Sequence, residues 1–189
     1  MTTLDLIKKC RTYRRFEQKA ISDEAINEIL EAARCTASGR NAQPLEFIVA
    51  KSKEAVEKIF PLTKWAGALP PELGTPKDGE RPVLYIAVII NTEINKNADT
   101  DAGLAIQSMS LAAMDRGIGR CILGAIDRPK LSEMFALPET KKIHTLVAFG
   151  YPSHESTIED FKGETAYHLD DKKNYIVPKR KLEDIVRTI

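Results

Sequence analysis

Two arginines flank a hydroxyl near the N-terminus of this chain, in Arg11-Thr12-Tyr13-Arg14, followed by Arg15 and Phe16. Guanidinium groups give bidentate, charge-assisted bonds to a phosphate, and a threonine adds a donor. At the other end, Pro178 leads into Lys179-Arg180-Lys181. The chain has 189 residues and a formal net charge of +1, so these basic clusters are local features of a neutral protein. They point to one anion that folding brings between them, the alternative being two solvated faces. Between the clusters, Ala37-Ser38-Gly39-Arg40-Asn41-Ala42-Gln43-Pro44 offers serine, asparagine and glutamine side chains suited to the edge of a polar heterocycle. Two further stretches stand out: Asp101-Ala102-Gly103 through Gln107, and Gly117-Ile118-Gly119 leading into Cys121-Ile122-Leu123-Gly124-Ala125.

Other chemistries lack their signatures. There is no GxGxxG, no phosphate-binding GxxxxGK[ST] and no GxSxG elbow. The 3 histidines (His144, His154, His168) form no HExxH pair, so no metal site is expected. His144 opens an apolar strand and reads as structural, and Cys121 reads as an inert buried thiol. Three cysteines (Cys10, Cys35, Cys121) are widely spaced and define no disulfide framework. The absence of an evident nucleophile, metal site or acid–base pair is compatible with chemistry carried by a cofactor.

The elements that must position these residues are legible from pattern. Hydrophobic residues make up 43% and charged residues 29%, a soluble globular composition long enough for one domain. Near-neutral charge argues against a nucleic-acid binder. The longest aliphatic run, 83–90, is too short for a membrane span, and the first residues lack the apolar stretch of a signal peptide, so a cytoplasmic location is expected. Ser22 caps a helix whose Ile26, Ile29, Leu30 and Ala33 form one stripe. Helices are expected at 53–60, at 101–116 as a buried central helix ended by Gly117, and after Pro129. A last amphipathic helix is expected at 182–189. Strands are expected at 47–50, 83–90, 121–123 and 145–149. The stretches 61–82 and 151–173 read as loops.

Taken in order, the motifs resemble the FMN-dependent nitroreductase family along nearly the whole chain. Arg11 to Phe16 is similar to its R-x-S-x-R-x-F pattern, with Cys10 where many members have another arginine. Ala37 to Phe47 is similar to P-S-x-x-N-x-Q-P-W-x-F, with Ala for the first Pro and Leu45 for Trp. Asp101 to Ala112 is similar to D-x-G-x-A-x-Q-N-M-x-L-A, with Ser108 for Asn. Gly150-Tyr151-Pro152 matches G-x-P, and Pro178 to Lys181 resembles P-K-x-R.

The resemblance implies an α+β fold with a central, mostly antiparallel sheet of about four or five strands flanked by helices. It implies a single domain over 1–189, an intertwined homodimer, and residues 167–189 as an arm embracing the partner. Arg11, Thr12 and Arg14, with Lys179 and Lys181, would hold the FMN phosphate and ribityl chain, Arg180 being the alternative to Lys181. Ser38 and Asn41 would contact the isoalloxazine from the neighbouring subunit. Leu123 and Gly124 would place backbone amides near flavin N5, which carries the chemistry in place of any catalytic side chain. NAD(P)H would deliver hydride to N5 and leave, and a small nitroaromatic or quinone-like acceptor would then be reduced at the same face. Some members carry a further cation at the pyrimidine edge; Lys64 is a candidate for it that no motif aligns and is not assigned, and Trp65 either covers the flavin or anchors its loop. Reductive dehalogenation, ring oxidation and a flavin-binding module without turnover are the rival readings.

Overall fold

Residues 1–189 are all described by the computed structural model. The chain opens with α1 (Thr3–Lys9), where Thr2 and Asp5 cap each other reciprocally, and α2 (Asp23–Arg34), where the Ser22 hydroxyl accepts from the Ala25 N–H at 3.2 Å. Next come β1 (Leu45–Ala50), α3 (Lys53–Ile59), the short α4 (Pro71–Gly74) and β2 (Leu84–Asn91). The long α5 (Asp99–Asp115) precedes β3 (Gly119–Leu123), α6 (Arg128–Met134) and β4 (Lys141–Gly150). The main sheet has 4 strands in the order β1-β2-β4-β3, every pair antiparallel. No helix is long and apolar enough to cross a membrane.

β2 explains the two-layer core. Its side chains alternate between faces. Tyr85, Ala87 and Ile89 enter a core with α3, Trp65 and Leu131, whereas Leu84, Ile86 and Val88 enter one with α2 and α5. A strand covered on both faces must be apolar throughout, which is why its sequence shows no polar alternation.

Four features differ from the sequence expectation. First, α5 is not buried all round. Leu104 and Gln107 are exposed and Ser108 and Leu111 half-buried, so one face of the central helix is uncovered within the chain. Second, the stretch after Tyr151 is not only loop. It contributes β5 (Ser156–Asp160) and β6 (His168–Leu169), which join β7 (Tyr175–Lys179) in a second sheet of order β5-β7-β6. Third, the expected 167–189 arm is divided. Residues 167–179 fold back on their own chain, with Tyr175 buried beside the N-terminal arginines. Fourth, the helix expected at 182–189 does not form. Only a 3-10 turn at Leu182–Asp184 is present, and Leu182, Ile185, Val186 and Ile189 are all exposed. A short amphipathic helix draws its stability from the surface it covers, and the chain offers this stripe none.

Two glycines fix the segment that carries the first motif. Gly119 and Gly150 are register partners on β3 and β4. A Cβ on Gly119 would lie 2.7 Å from the Tyr13 ring, and one on Gly150 would lie 2.8 Å from Phe16. Two bare backbones side by side therefore form a flat seat for Tyr13 and Phe16. Thr12 bridges Arg120 in parallel, the Tyr13 N–H donates to the Arg120 carbonyl at 2.9 Å, and Phe16 bridges Pro152. With Tyr13 and Phe16 buried, the intervening arginines are held in a defined register along the sheet edge.

Candidate functional site

That register builds a cleft of 240 Å³ whose walls include Arg11, Thr12, Arg14, Arg120, Tyr167 and Lys179. Four of these residues are cations, and none of the four forms an ion pair with a carboxylate of the chain. Arg14 stacks on two rings, its Cζ lying 4.4 Å from the Tyr167 centroid and 4.8 Å from that of Tyr175. Such cation–π contacts hold the guanidinium plane without using its donors. Arg11 donates from Nη2 to the Ile7 carbonyl at 2.9 Å. The Nε atoms of Arg11 and Arg14 are buried without a partner. Arg15, one residue on, is engaged elsewhere and donates to the Lys173 carbonyl at 2.5 Å.

The second basic cluster arrives only in part. Lys179 lines the cleft. Arg180 bends away and donates to the Asp184 carbonyl at 2.6 Å, while Lys181 lies 3.6 Å from Glu183 on the surface. The expected pair of Lys179 with Lys181, or with Arg180, is therefore not assembled within one chain. The terminal turn at Leu182–Asp184 draws both side chains outward.

Ser38 and Asn41 sit apart from this cleft, beside a larger one lined by α2, the 36–45 segment and Asp101. The Ser38 hydroxyl donates to Asp101 Oδ2 at 2.5 Å and accepts from the Gln43 N–H at 3.0 Å. Gly39 N–H donates to Asp101 Oδ1 at 3.3 Å. Asp101, buried in the first turn of α5, thus clasps the loop. The loop is strained: Arg40, Asn41 and Gln43 have φ of 56°, 53° and 51°, a region that non-glycine residues seldom adopt and that recurs where a site is built. The clasp leaves the exposed Asn41 side chain with no partner in its own chain. Asp101 and Ser110 lie nine residues apart on α5, roughly 13 Å along its axis. Ser110 receives the Arg120 Nε, so α5 spaces the loop from the cationic cleft.

Leu123 is buried and Gly124 exposed where β3 ends, and the Gly124 N–H donates to no group of its own chain. Gly124 lies roughly 13 Å along the strand from Arg120. The 61–82 segment runs alongside: Thr63 bridges Ile126 and the Lys64 N–H donates to the Ala125 carbonyl at 2.9 Å. Trp65 is buried, tilted against Phe60, and donates from Nε1 to Thr63 Oγ1 at 2.9 Å. Of the two roles considered for it, the chain uses the anchor. Cys121 is also buried, and burial pushes its thiol up to about 11.

Sequence reasoning missed Arg120, Tyr167 and His154. Arg120 had a signal: one arginine in an otherwise apolar strand, GRCIL. Tyr167 had none, because its placement depends on the second sheet. Its Oη accepts from the Ala68 N–H at 3.2 Å, joining the cleft to the 61–82 loop. His154 packs between Tyr13 and Tyr175, at 5.5 and 5.0 Å between ring centroids. Burial, then the neighbouring Arg15 charge, pulls it down to about 4.

An antiparallel sheet layered between helices, with a cationic, carboxylate-free cleft at one edge, defines the α+β class of this protein. The family model described as the Nitroreductase family matches residues 7–151, and the chain belongs to that family. It is 30% identical over 179 residues, 90% of this chain and 92% of the other, to an Archaeoglobus fulgidus protein to which NADH dehydrogenase/NAD(P)H nitroreductase activity is ascribed by name. A nitroreductase family protein from Clostridium difficile has the same fold, with a TM-score of 0.73 at 19% identity over 99% of this chain and 98% of that one. A protein from Desulfovibrio desulfuricans, described as a nitroreductase in complex with FMN, superimposes with a TM-score of 0.71 at 25% identity, covering 98% of this chain and 95% of its own.

Proposed function

We propose that this chain is an FMN-dependent oxidoreductase that takes hydride from NAD(P)H and reduces a small electron-poor acceptor of nitroaromatic or quinone type. The observation that carries this reading is the cleft: Arg11, Arg14, Arg120 and Lys179 meet with no carboxylate among them, and two guanidinium Nε atoms are buried without partners. Buried donors and charges left unmatched by the chain call for an anionic ligand. A terminal phosphate ester fits this donor set, and FMN is the flavin that presents one. The FMN complex of the Desulfovibrio relative supports the assignment.

In this reading Arg11, Arg14 and Lys179 hold the phosphate, and the Thr12 hydroxyl adds a donor. Tyr167 and Tyr175 keep the Arg14 plane in place. The free Gly124 amide offers a donor at the end of β3 for the reactive side of the ring system. When bound, FMN supplies two-electron transfer at its N5. The proton that accompanies hydride transfer to the acceptor comes from water.

A cleft of 240 Å³ accommodates the phosphate end of FMN and not the ring system. The rest of the site is supplied by a second copy. Leu4 and Ile7 on α1 and Leu104 on α5 are exposed apolar residues on two helices that touch each other, and burial against a second copy would remove them from water. The strained loop holding Asn41 then reaches the flavin of the partner.

The purified protein should show a flavin absorption spectrum, and heat should release FMN. Anaerobic NADH or NADPH should bleach it, and a nitroaromatic or quinone acceptor should restore it. Recovery of FAD, or of no flavin after reconstitution, would refute the cofactor. Bound FMN that neither nucleotide reduces would make the chain a flavin-binding module, and turnover confined to halogenated acceptors would shift the reaction class.

A further inference from the structure

Arg120 is the one cleft cation outside the two basic terminal clusters. It stands on β3 among apolar neighbours and is 8% exposed. Its Nε donates to Ser110 Oγ at 2.9 Å and its Nη1 to Thr12 Oγ1 at 3.0 Å. Both partners are neutral hydroxyls, no carboxylate pairs with the guanidinium, and Nη2 makes no hydrogen bond while the residue lines the cleft. Burial, together with the nearby Arg11 charge, holds its proton affinity below the ordinary guanidinium value. Removing a charge from water costs several kcal/mol unless an opposite charge meets it. Arg11, Arg14 and Lys179 make the local imbalance larger.

We propose that Arg120 is the innermost ligand of a dianionic phosphate bound in this cleft, and that it sets the preference for a phosphorylated flavin over the unphosphorylated one. This rests on the flavin reading above. Ser110 and Thr12 fix the guanidinium before any ligand arrives, so little ordering remains to be done on binding. Thr12 accepts from Arg120 through its oxygen, which leaves its own proton to be donated to the same anion. Arg14, Arg11 and Lys179 close around the outer oxygens, and Tyr167 shields them from solvent.

The opposing account makes Arg120 a clamp that ties the N-terminal segment to α5 and touches no ligand. Arg120→Met and Arg120→Lys separate the two. Thermal unfolding of flavin-free protein in chloride buffer, with and without inorganic phosphate, gives one readout. The dissociation constants of FMN and riboflavin, measured by fluorescence quenching, give the other. Phosphate should raise the melting temperature of the wild-type apoprotein. Arg120→Met should be at least as stable without phosphate, lose most of the phosphate response, and lower the FMN-over-riboflavin preference at least about tenfold, the scale of a hydrogen bond to a charged group. Arg120→Lys should retain part of both effects. An Arg120→Met protein that is less stable without phosphate yet keeps the wild-type flavin preference would establish the clamp and overturn the assignment alone. Phosphate stabilisation of a wild-type chain that binds neither flavin would overturn the flavin reading, and with it the selectivity assigned to Arg120.

Discussion

Arg14 and Arg15 are adjacent and differ in what they meet. Arg14 lines the cleft between Tyr167 and Tyr175, whereas Arg15 turns to the Lys173 carbonyl. Arg14→Ala should therefore weaken FMN binding by about 1.5–3 kcal/mol, the scale of a hydrogen bond to a charged partner, and Arg15→Ala should change it far less. Equal losses by fluorescence titration would contradict this register. His154 carries a second residue-scale expectation. Its folded value of about 4 lies below its ordinary 6.5, so the unfolded chain binds the proton more readily. Stability associated with His154 is thus complete above about pH 6.5 and is lost as pH falls through 4. Its neighbours include Arg14, Arg15, Tyr13 and Tyr175, so charging it repels the arginine segment. Melting temperatures across this window should fall in the wild type and fall less in His154→Phe; parallel curves would assign the loss to other groups.

At the scale of elements, the glycine pair on β3 and β4 does the positioning. Gly150→Ala would push a methyl group to within 2.8 Å of Phe16, which has no exposed surface and no room to retreat. Overpacking of this kind costs about 1–3 kcal/mol, and chemical denaturation should show a loss in that range. An unchanged midpoint would mean that the N-terminal segment can lift off the sheet. The helices expected from Ser22 and Lys53 form where periodicity and caps place them, because each has a stripe and a core to cover. The helix expected at 182–189 has the stripe without the core. Removing 180–189 should raise the dissociation constant of the proposed dimer while the cleft walls remain. Removing 167–189 also takes away Tyr167, Tyr175, Val177 and Lys179 and should abolish flavin retention. Light scattering over a dilution series and flavin content, taken on the same samples, test both. A chain without 180–189 that dimerises as tightly as the full one would leave that segment no partner to cover.

For the whole molecule, α5 acts as a spacer. Asp101 at one end clasps the Ser38–Gln43 loop, and Ser110 further along holds Arg120. The two halves of the motif set consequently face different clefts in one chain, a separation that a second copy resolves in the proposed dimer. The sequence alone determined the strands that are apolar on both faces, the capped helices and the residue types able to hold a phosphate, because periodicity and donor chemistry are local properties. Its resemblance to the family's motifs grouped Arg11, Arg14 and Lys179, which line one cleft in the structure. Only the tertiary structure decided which basic residues converge, since Lys181 lies two residues beyond Lys179 and has the same side-chain chemistry. It alone brought Arg120 to the cleft and folded 167–179 back on its own chain. Those outcomes depend on close approach at Gly119 and Gly150 and on aromatic stacking across distant segments, and neither leaves a period or a spacing in the sequence.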